Sequence, residues 1–355
     1  MKPSCVAVIT TIQPPTDCVR RLCARLLPVD ISLIVIGDKK GPWTYDVVGS
    51  RLVTITEQEG LPFQLVPLLR KGHYARKNLG YLLAIRSGAQ CIYETDDDNT
   101  PNSVWQVRQE HVHACRGNFG RWCNVYRMYS DENIWPRGFP LDQITSNVGL
   151  PRLDVTARSI VHAPIQQGLV DGSPDVDAVW RLVQDHPFSF KSGSSVLLPR
   201  NTWCPFNSQS TWWWTAAFAL MYLPSYCSFR MTDIWRSFIA QRCLWEFAEG
   251  IVFHGPEVDQ ERNVHNLMRD FSDEVPGYLQ NARIADILQG LALKPGATSV
   301  GENLIFCYEA LIEAGIFPAE EKSLVSAWVA DLRQGDEGPQ FAPGIESINR
   351  LGGSQ

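Results

Sequence analysis

Three consecutive aspartates, Asp96, Asp97 and Asp98, follow an apolar, β-prone run in the segment Ile92-Tyr-Glu-Thr-Asp-Asp-Asp-Asn99. Like charges side by side repel, so a strand end suits them only where positive charge meets them. Carboxylate oxygens suit hard divalent cations such as Mn²⁺ and Mg²⁺. A cation held by one or two carboxylates keeps open positions. Diphosphate oxygens can fill these, and the metal then offsets the charge of a leaving group. In an extended segment residues i and i+2 point the same way. Asp96 and Asp98 are therefore expected to share the ion. Asp97 is expected to point elsewhere, toward a sugar hydroxyl or a supporting basic residue. The competing reading is a solvated acidic turn. Against it stand the preceding strand, the restart of the chain at Pro101-Asn102, and Arg76-Lys77-Asn78 with Gly80 upstream. Arg76 and Lys77 could meet the diphosphate or order the aspartates, or form only a solvated helix face.

The elements around the run form a pattern. Residues 5–12 (CVAVITTI) and 31–36 (ISLIVI) read as strands buried on both faces. Residues 16–26 read as a helix with Thr16 as N-cap. Short strands are predicted at 52–55 and 91–94, with a helix over 73–87 between them. Strand and helix alternating at this spacing predict an α/β fold with a largely parallel sheet. Ligands bind beyond the carboxyl ends of strands in such sheets. Thr10, Thr11, Asp38 and the aspartate run all fall there. Residues 117–230 are rich in Pro, Gly, Ser and aromatics and predict loops and short strands. A helix is expected at 232–247, then a short strand at 251–253 ending at His254. Helices are expected at 279–293, 299–314 and 318–332, with a capping box from Ser299 to Glu302. The chain thus divides into 1–275, a helical region 276–333 and a loose tail 334–355.

The 355 residues are 45% apolar and 20% charged, which indicates a globular protein with a sizeable core. A net charge of −6 argues against a general nucleic-acid or anionic-membrane binder. No run approaches the ~20 apolar residues of a membrane span, and the N-terminus lacks the pattern of a signal peptide. Ten cysteines without a CxxC pair read as reduced thiols, and the expected location is cytoplasmic. Asp175 and Asp177 flank one residue in a Gly/Ser/Pro-rich loop. They could contact an acceptor or donor sugar, form a calcium-type site, or solvate the loop. Trp212-Trp213-Trp214 is either an aromatic cluster or, through Trp213, a platform for an acceptor sugar.

The stretch ARKNLGYLLAIRSGAQCIYETDDDN (75–99) resembles the A-R-N-x-G to D-x-D pattern of nucleotide-sugar glycosyltransferases with GT-A architecture, with Lys77 inserted. Together with WPRGFPLD (135–142), IQQGLVDGSPDVDAVWRL (165–182), MTDIWRSFIAQR (231–242) and QERNVHNLMRDF (260–271), it resembles the STELLO-type glycosyltransferase-like family over roughly residues 5 to 275. A more distant likeness is to the reversibly glycosylated polypeptides, UDP-arabinopyranose mutases. They share the DDD run, the segment matching Pro174–Ala178 and a D-x-W like Asp233-Ile234-Trp235.

The resemblance implies a GT-A (Rossmann-like) nucleotide-sugar domain over 1–275. It implies that Thr10, Thr11 and Asp38 hold the nucleoside and that Asp96 and Asp98 hold the metal. His254 would complete the metal shell, with His265 as rival ligand. Asp233 would be the catalytic base, which implies inversion. The expected activity is metal-dependent transfer from a nucleoside-diphosphate sugar, UDP-linked, to a glycan or glycolipid in surface-polysaccharide assembly. A UDP-sugar mutase and a non-catalytic scaffold assisting a synthase are the alternatives. The helical C-terminal region could cover the acceptor side, form a homodimer or touch a membrane.

Overall fold

β1 (Cys5–Thr10), β2 (Ser32–Ile36), β3 (Ser50–Val53) and β4 (Cys91–Thr95) form the parallel half of one sheet, in the order β3-β2-β1-β4. The computed structural model describes residues 4–144, 152–184, 186–261 and 266–333; His265 and the predicted tail lie outside these. The helices of this half are α1 (Asp17–Leu26), α2 (Ile55–Glu59) and α3 (Lys77–Arg86). Thr16 caps α1 as expected, accepting from the backbone N–H of Val19. A 3₁₀ turn over Tyr74–Arg76 precedes α3, so the regular helix starts later than the predicted 73.

The second half is mixed. Along the chain follow β5 (Asn99–Pro101), β6 (His111–Asn118), α4 (Leu141–Ile144), β7 (Arg152–His162), β8 (Ile165–Asp171), α5 (Ala178–Val183), β9 (Val196–Pro199) and β10 (Ser210–Trp214). α6 (Thr232–Leu244), β11 (Gly250–Gln260), α7 (Leu267–Gln289), α8 (Val300–Glu313) and α9 (Glu321–Arg333) follow among the described residues. β10 pairs antiparallel with both β4 and β8, and β8 runs parallel to β11. The expected α/β architecture with a large central sheet and C-terminal helices is therefore present. Its parallel character, however, is confined largely to the first half.

Two differences have local causes. β11 does not stop near His254 but continues to Gln260, through register shifts around Pro256, because β8 and β5 supply partners along its length. The predicted capping box at Ser299 does not form. Ser299 lies in the right-handed helical region and its hydroxyl donates to the Pro295 carbonyl instead.

The C-terminal helices share the core of the sheet. One apolar cluster runs from Val8 and Leu79 through Phe238 to Leu304 and Trp328. Polar anchors reinforce it. The Asp331 carboxylate accepts the backbone N–H groups of Gln64 and Leu65, at 2.8 and 2.9 Å. Glu321 accepts from the Tyr222 hydroxyl and from the N–H groups of Ser225 and Tyr226. The change of texture expected at 276 falls inside α7, which starts at Leu267. No helix among the described residues is long and apolar enough to cross a membrane.

α3 lies close against the sheet because position 80 is glycine. A Cβ there would sit 2.5 Å from Cγ1 of Val8 and 2.9 Å from Cγ1 of Ile36. Overpacking of this kind costs roughly 1–3 kcal/mol. Gly80→Val is expected to lower the unfolding free energy by about that amount. Denaturant titration checks this, and an unchanged midpoint would refute the close-packing account.

Candidate active site

β4 ends at Thr95, and the three aspartates occupy the turn between β4 and β5. The turn is fixed from several sides. The Thr16 hydroxyl, which caps α1, also donates to the Asp97 carbonyl at 2.8 Å. The N–H of Glu261 donates to the Asp98 carbonyl, and the Gln260 amide donates to Asp98 Oδ2 at 2.9 Å. All three aspartates line one cleft of about 670 Å³, together with Thr10, Thr11 and Asp38. The i, i+2 argument does not apply, because the strand stops one residue short of Asp96. Asp97 faces the cleft too, and its carboxylate accepts the Thr11 hydroxyl.

One ammonium meets the cluster. Lys77, fully buried at the start of α3, donates to Asp96 Oδ1 at 2.8 Å, to the Thr95 carbonyl at 2.6 Å and to the Tyr74 hydroxyl at 2.9 Å. Of the three aspartates it touches Asp96 alone, and its burial rules out a solvated helix face. Burial raises the Asp96 carboxyl above its ordinary value, and Lys77 offsets this only in part. Burial likewise raises Asp97. Asp98 is pushed up to about 7 by burial and by the neighbouring Asp96 and Asp97. Negative charge at this strand end is thus undercompensated by the protein.

Asp38 sits at the cleft where it was expected, and its carboxylate laces the opposite loop. It accepts the N–H groups of Lys39, Gly72 and His73 at 2.7 to 3.0 Å. Thr10 lines the cleft and donates to the Ile36 carbonyl. Arg76 does not reach the cleft. It is buried behind it, with Nε donating to Gln58 Oε1 at 2.6 Å.

Asp233, in the first turn of α6, is on the cleft wall and buried. Arg137 grips it, with Nη1 and Nη2 each 3.1 Å from a carboxylate oxygen. The same guanidinium holds Asp175 through Nε at 2.7 Å and Nη2 at 2.9 Å. Asp175 therefore lines the cleft as half of a shared pair. Burial alone would raise the Asp233 carboxyl, but Arg137 and then Arg236 outweigh it and hold the group low. A hydrogen-bonded chain joins the two acidic centres. The Tyr74 hydroxyl donates to Asp96 at 2.8 Å and meets the Ser208 hydroxyl at 2.6 Å, and Ser208 lies 3.3 Å from Asp233.

Three candidates are not at the site. His254 is buried inside β11, with one ring nitrogen 2.9 Å from Gln166 and the other 2.7 Å from Ser195. Burial holds its pKa well below the usual histidine value. Both nitrogens are occupied in the core, and it is Gln260, six residues on, that touches Asp98. Asp177 is the N-cap of α5, accepting from Trp180 N–H at 2.8 Å and from the Trp135 indole at 2.7 Å. Trp213 is fully buried, and its indole N–H donates to Glu94 at 2.8 Å. Successive residues of β10 alternate between two apolar clusters, which is how three tryptophans in a row are all buried. The aromatic residue exposed at the cleft is Phe229.

Arg137, Tyr74, Ser208 and Gln260 were missed as site residues. Arg137 carried one signal, the glycine that follows it. Gly138 has φ +89°, and a Cβ there would sit 2.4 Å from Ile234 of α6. Only glycine lets this loop approach α6 so closely.

Two outcomes follow. Trp213→Phe leaves a Glu94 oxygen without its donor and is expected to cost roughly 1–3 kcal/mol of stability. Binding in the cleft should be unchanged, and a large loss of binding would restore Trp213 to the site. Asp177 is pushed up to about 7 by burial, from an ordinary value of about 4. Its native-state protonation therefore favours folding at low pH, and this is lost as pH rises toward 7. Asp177→Asn loses one acceptor. Its stability deficit relative to the unmodified protein should narrow between about pH 4 and pH 7, and a pH-independent deficit would contradict this.

Comparison with known proteins agrees with the sequence blocks. A family model described as STELLO glycosyltransferases matches residues 230–343. Probable glycosyltransferase STELLO2 of Arabidopsis thaliana is 27% identical over 322 residues, and probable glycosyltransferase STELLO1 of the same plant 25% over 328. Each alignment covers 84% of this chain and 41% of the plant protein, so the chain spans well under half the length of these relatives. Among solved structures, that of a mycobacterial protein aligns with TM-score 0.41 at 8% identity, covering 80% of this chain and 75% of that one. Glucosyl-3-phosphoglycerate synthase from Mycobacterium tuberculosis, in complex with Mn²⁺, UDP and glucosyl-3-phosphoglycerate, aligns with TM-score 0.39 at 10% identity, covering 79% and 80%. By the family model and the two plant relatives, the chain is similar to the STELLO glycosyltransferases.

Proposed function

We propose that the cleft binds a nucleoside-diphosphate sugar together with a divalent cation, and that the protein transfers the sugar to an acceptor hydroxyl. The observation that carries this reading is the carboxylate cluster at the end of β4. Of three adjacent aspartates only Asp96 meets an ammonium, and Asp98 is raised to about 7 by burial and its acidic neighbours. Oδ2 of Asp96 and Oδ1 of Asp98 take no hydrogen bond from the other described residues. These are hard oxygen donors, so Mn²⁺ or Mg²⁺ fits them. Among the described residues no three His, Cys, Asp or Glu side chains are arranged to hold an ion alone. When bound, the cation would offset the negative charge of the departing nucleotide.

The chain's own residues supply the rest. Thr10, Thr11 and the Asp38 loop form the wall for the nucleoside, and Lys39 and Lys40 add positive charge on that side. UDP is the nucleotide favoured by the family resemblance. Asp233 is the carboxylate placed for the attacking hydroxyl. As the acceptor oxygen bonds to the anomeric carbon and the bond to diphosphate breaks, the hydroxyl proton passes to Asp233. Arg137 makes Asp233 a weak base. Proton transfer is then favourable only after the oxygen has begun to bond to carbon and become acidic. The similarity to two plant proteins described as probable glycosyltransferases supports the same chemistry.

The test is thermal melting with UDP and Mn²⁺. Ligand at about 100 times its Kd stabilises the native state by about 2.7 kcal/mol. That shift is expected in the unmodified protein, and is expected to vanish with EDTA or in Asp98→Asn. Transfer from UDP-sugars should show the same dependence. An undiminished shift in Asp98→Asn would reject the metal site, and no response to any nucleotide sugar would reject the reading.

A further inference from the structure

Beside the donor cleft lies a second cavity of about 600 Å³, and the two share Gly72, His73, Phe229 and Arg230 as walls. Its own walls bring together Arg70, Lys71, Arg230 and Arg269, against Asp270 and Asp273. This is a basic recess in a chain of net charge −6. Two of the four cations have close carboxylate partners. Lys71 pairs with Glu59, and Arg230 pairs with Glu274 at 2.8 Å. The other two are available. Arg269 is 3.9 Å from Asp273 and its side chain is 82% exposed. Arg70 is exposed, and among the described residues its guanidinium meets no carboxylate. It lies 5.2 Å from the ring centre of Tyr226, which holds it in place.

α7 meets the cavity along one side of its first two turns, through Asn266, Arg269, Asp270 and Asp273. At the junction of the two spaces stands Phe229, 57% exposed and packed edge-on against Tyr74 with ring centres 5.9 Å apart. An exposed aromatic ring on the same cleft wall as Asp233 suits the apolar face of a sugar ring.

We propose that this second cavity binds an acceptor carrying a phosphate group. The phosphate sits against Arg70 and Arg269, and the acceptor's sugar passes Phe229 toward Asp233. The word acceptor rests on the reading of the first cleft as the donor site. The phosphate recognition does not. A planar guanidinium matches phosphate oxygens two at a time, which favours phosphate over a neutral sugar.

The experiment titrates the protein, saturated with UDP and Mn²⁺, by calorimetry. The soluble arm compares glucose 6-phosphate with glucose. The lipid arm compares phosphatidylcholine vesicles containing phosphatidic acid with pure phosphatidylcholine vesicles. The expected result is binding in one phosphate-bearing arm and not in its neutral control, and the responding arm identifies the source. Arg70→Gln and Arg269→Gln, both at exposed side chains, should each weaken that binding roughly tenfold. Their UDP affinity should stay unchanged, which also shows that they fold. Equal binding of phosphorylated and neutral probes, or unchanged affinity in both variants, would overturn the proposal. The same titrations run without nucleotide separate the two readings. A protein that ignores UDP but still binds glucose 6-phosphate through Arg70 would reject the donor cleft and sustain this site.

Discussion

The arrangement depends on one buried ammonium. Lys77 sits at 0% exposure beneath the end of β4, where its three donors reach a carbonyl, a phenol and a carboxylate. A charge buried this deeply is tolerated only when its hydrogen bonds are all satisfied. The main-chain carbonyl of Thr95 and the side chain of Asp96 meet that requirement, so the position of the aspartate turn is set by the needs of the lysine. The lysine in turn is placed by α3, which Gly80 allows close against the sheet. The register of α3, the end of β4 and the geometry of the acidic turn are thus one constraint.

A second ion-paired unit closes the opposite wall. Arg137 holds Asp175 and Asp233 at once and donates to the carbonyl of Arg230. Tyr74 and Ser208 join this unit to the Lys77 unit through hydroxyl contacts. The cleft therefore has two acidic centres, each neutralised in part by one cation and linked through neutral hydroxyls. Each carboxylate keeps a different proton affinity as a result, raised at Asp98 and lowered at Asp233.

Much of the first half was legible in the sequence because parallel strands buried on both faces are written as continuous apolar runs. β1, β2, β4 and the Thr16 cap follow from local pattern alone. The aspartate turn was legible because charge repulsion demands a partner. The second half was not, because its strands are short and their length is set by neighbours far along the chain. β11 continues past Gly255-Pro256, residues that locally read as a stop, since β8 and β5 pair beyond them. Arg137 could not be assigned from its surroundings, because its partners lie 38 and 96 residues away. His254, Asp177 and Trp213 misled for a common reason. A polar atom fit to meet a ligand is equally fit to satisfy a buried neighbour, and only the fold decides which it meets.

α9 fastens to residues 64 and 65 through Asp331, just upstream of the loop that carries Arg70, His73 and Tyr74. The last helix among the described residues thus braces the lip of both cavities from behind. Evolution cannot trade these terminal helices as an independent module. A recombined gene that joined this sheet to a foreign tail would inherit a loosened rim, and would have to rebuild the brace before it could change what enters.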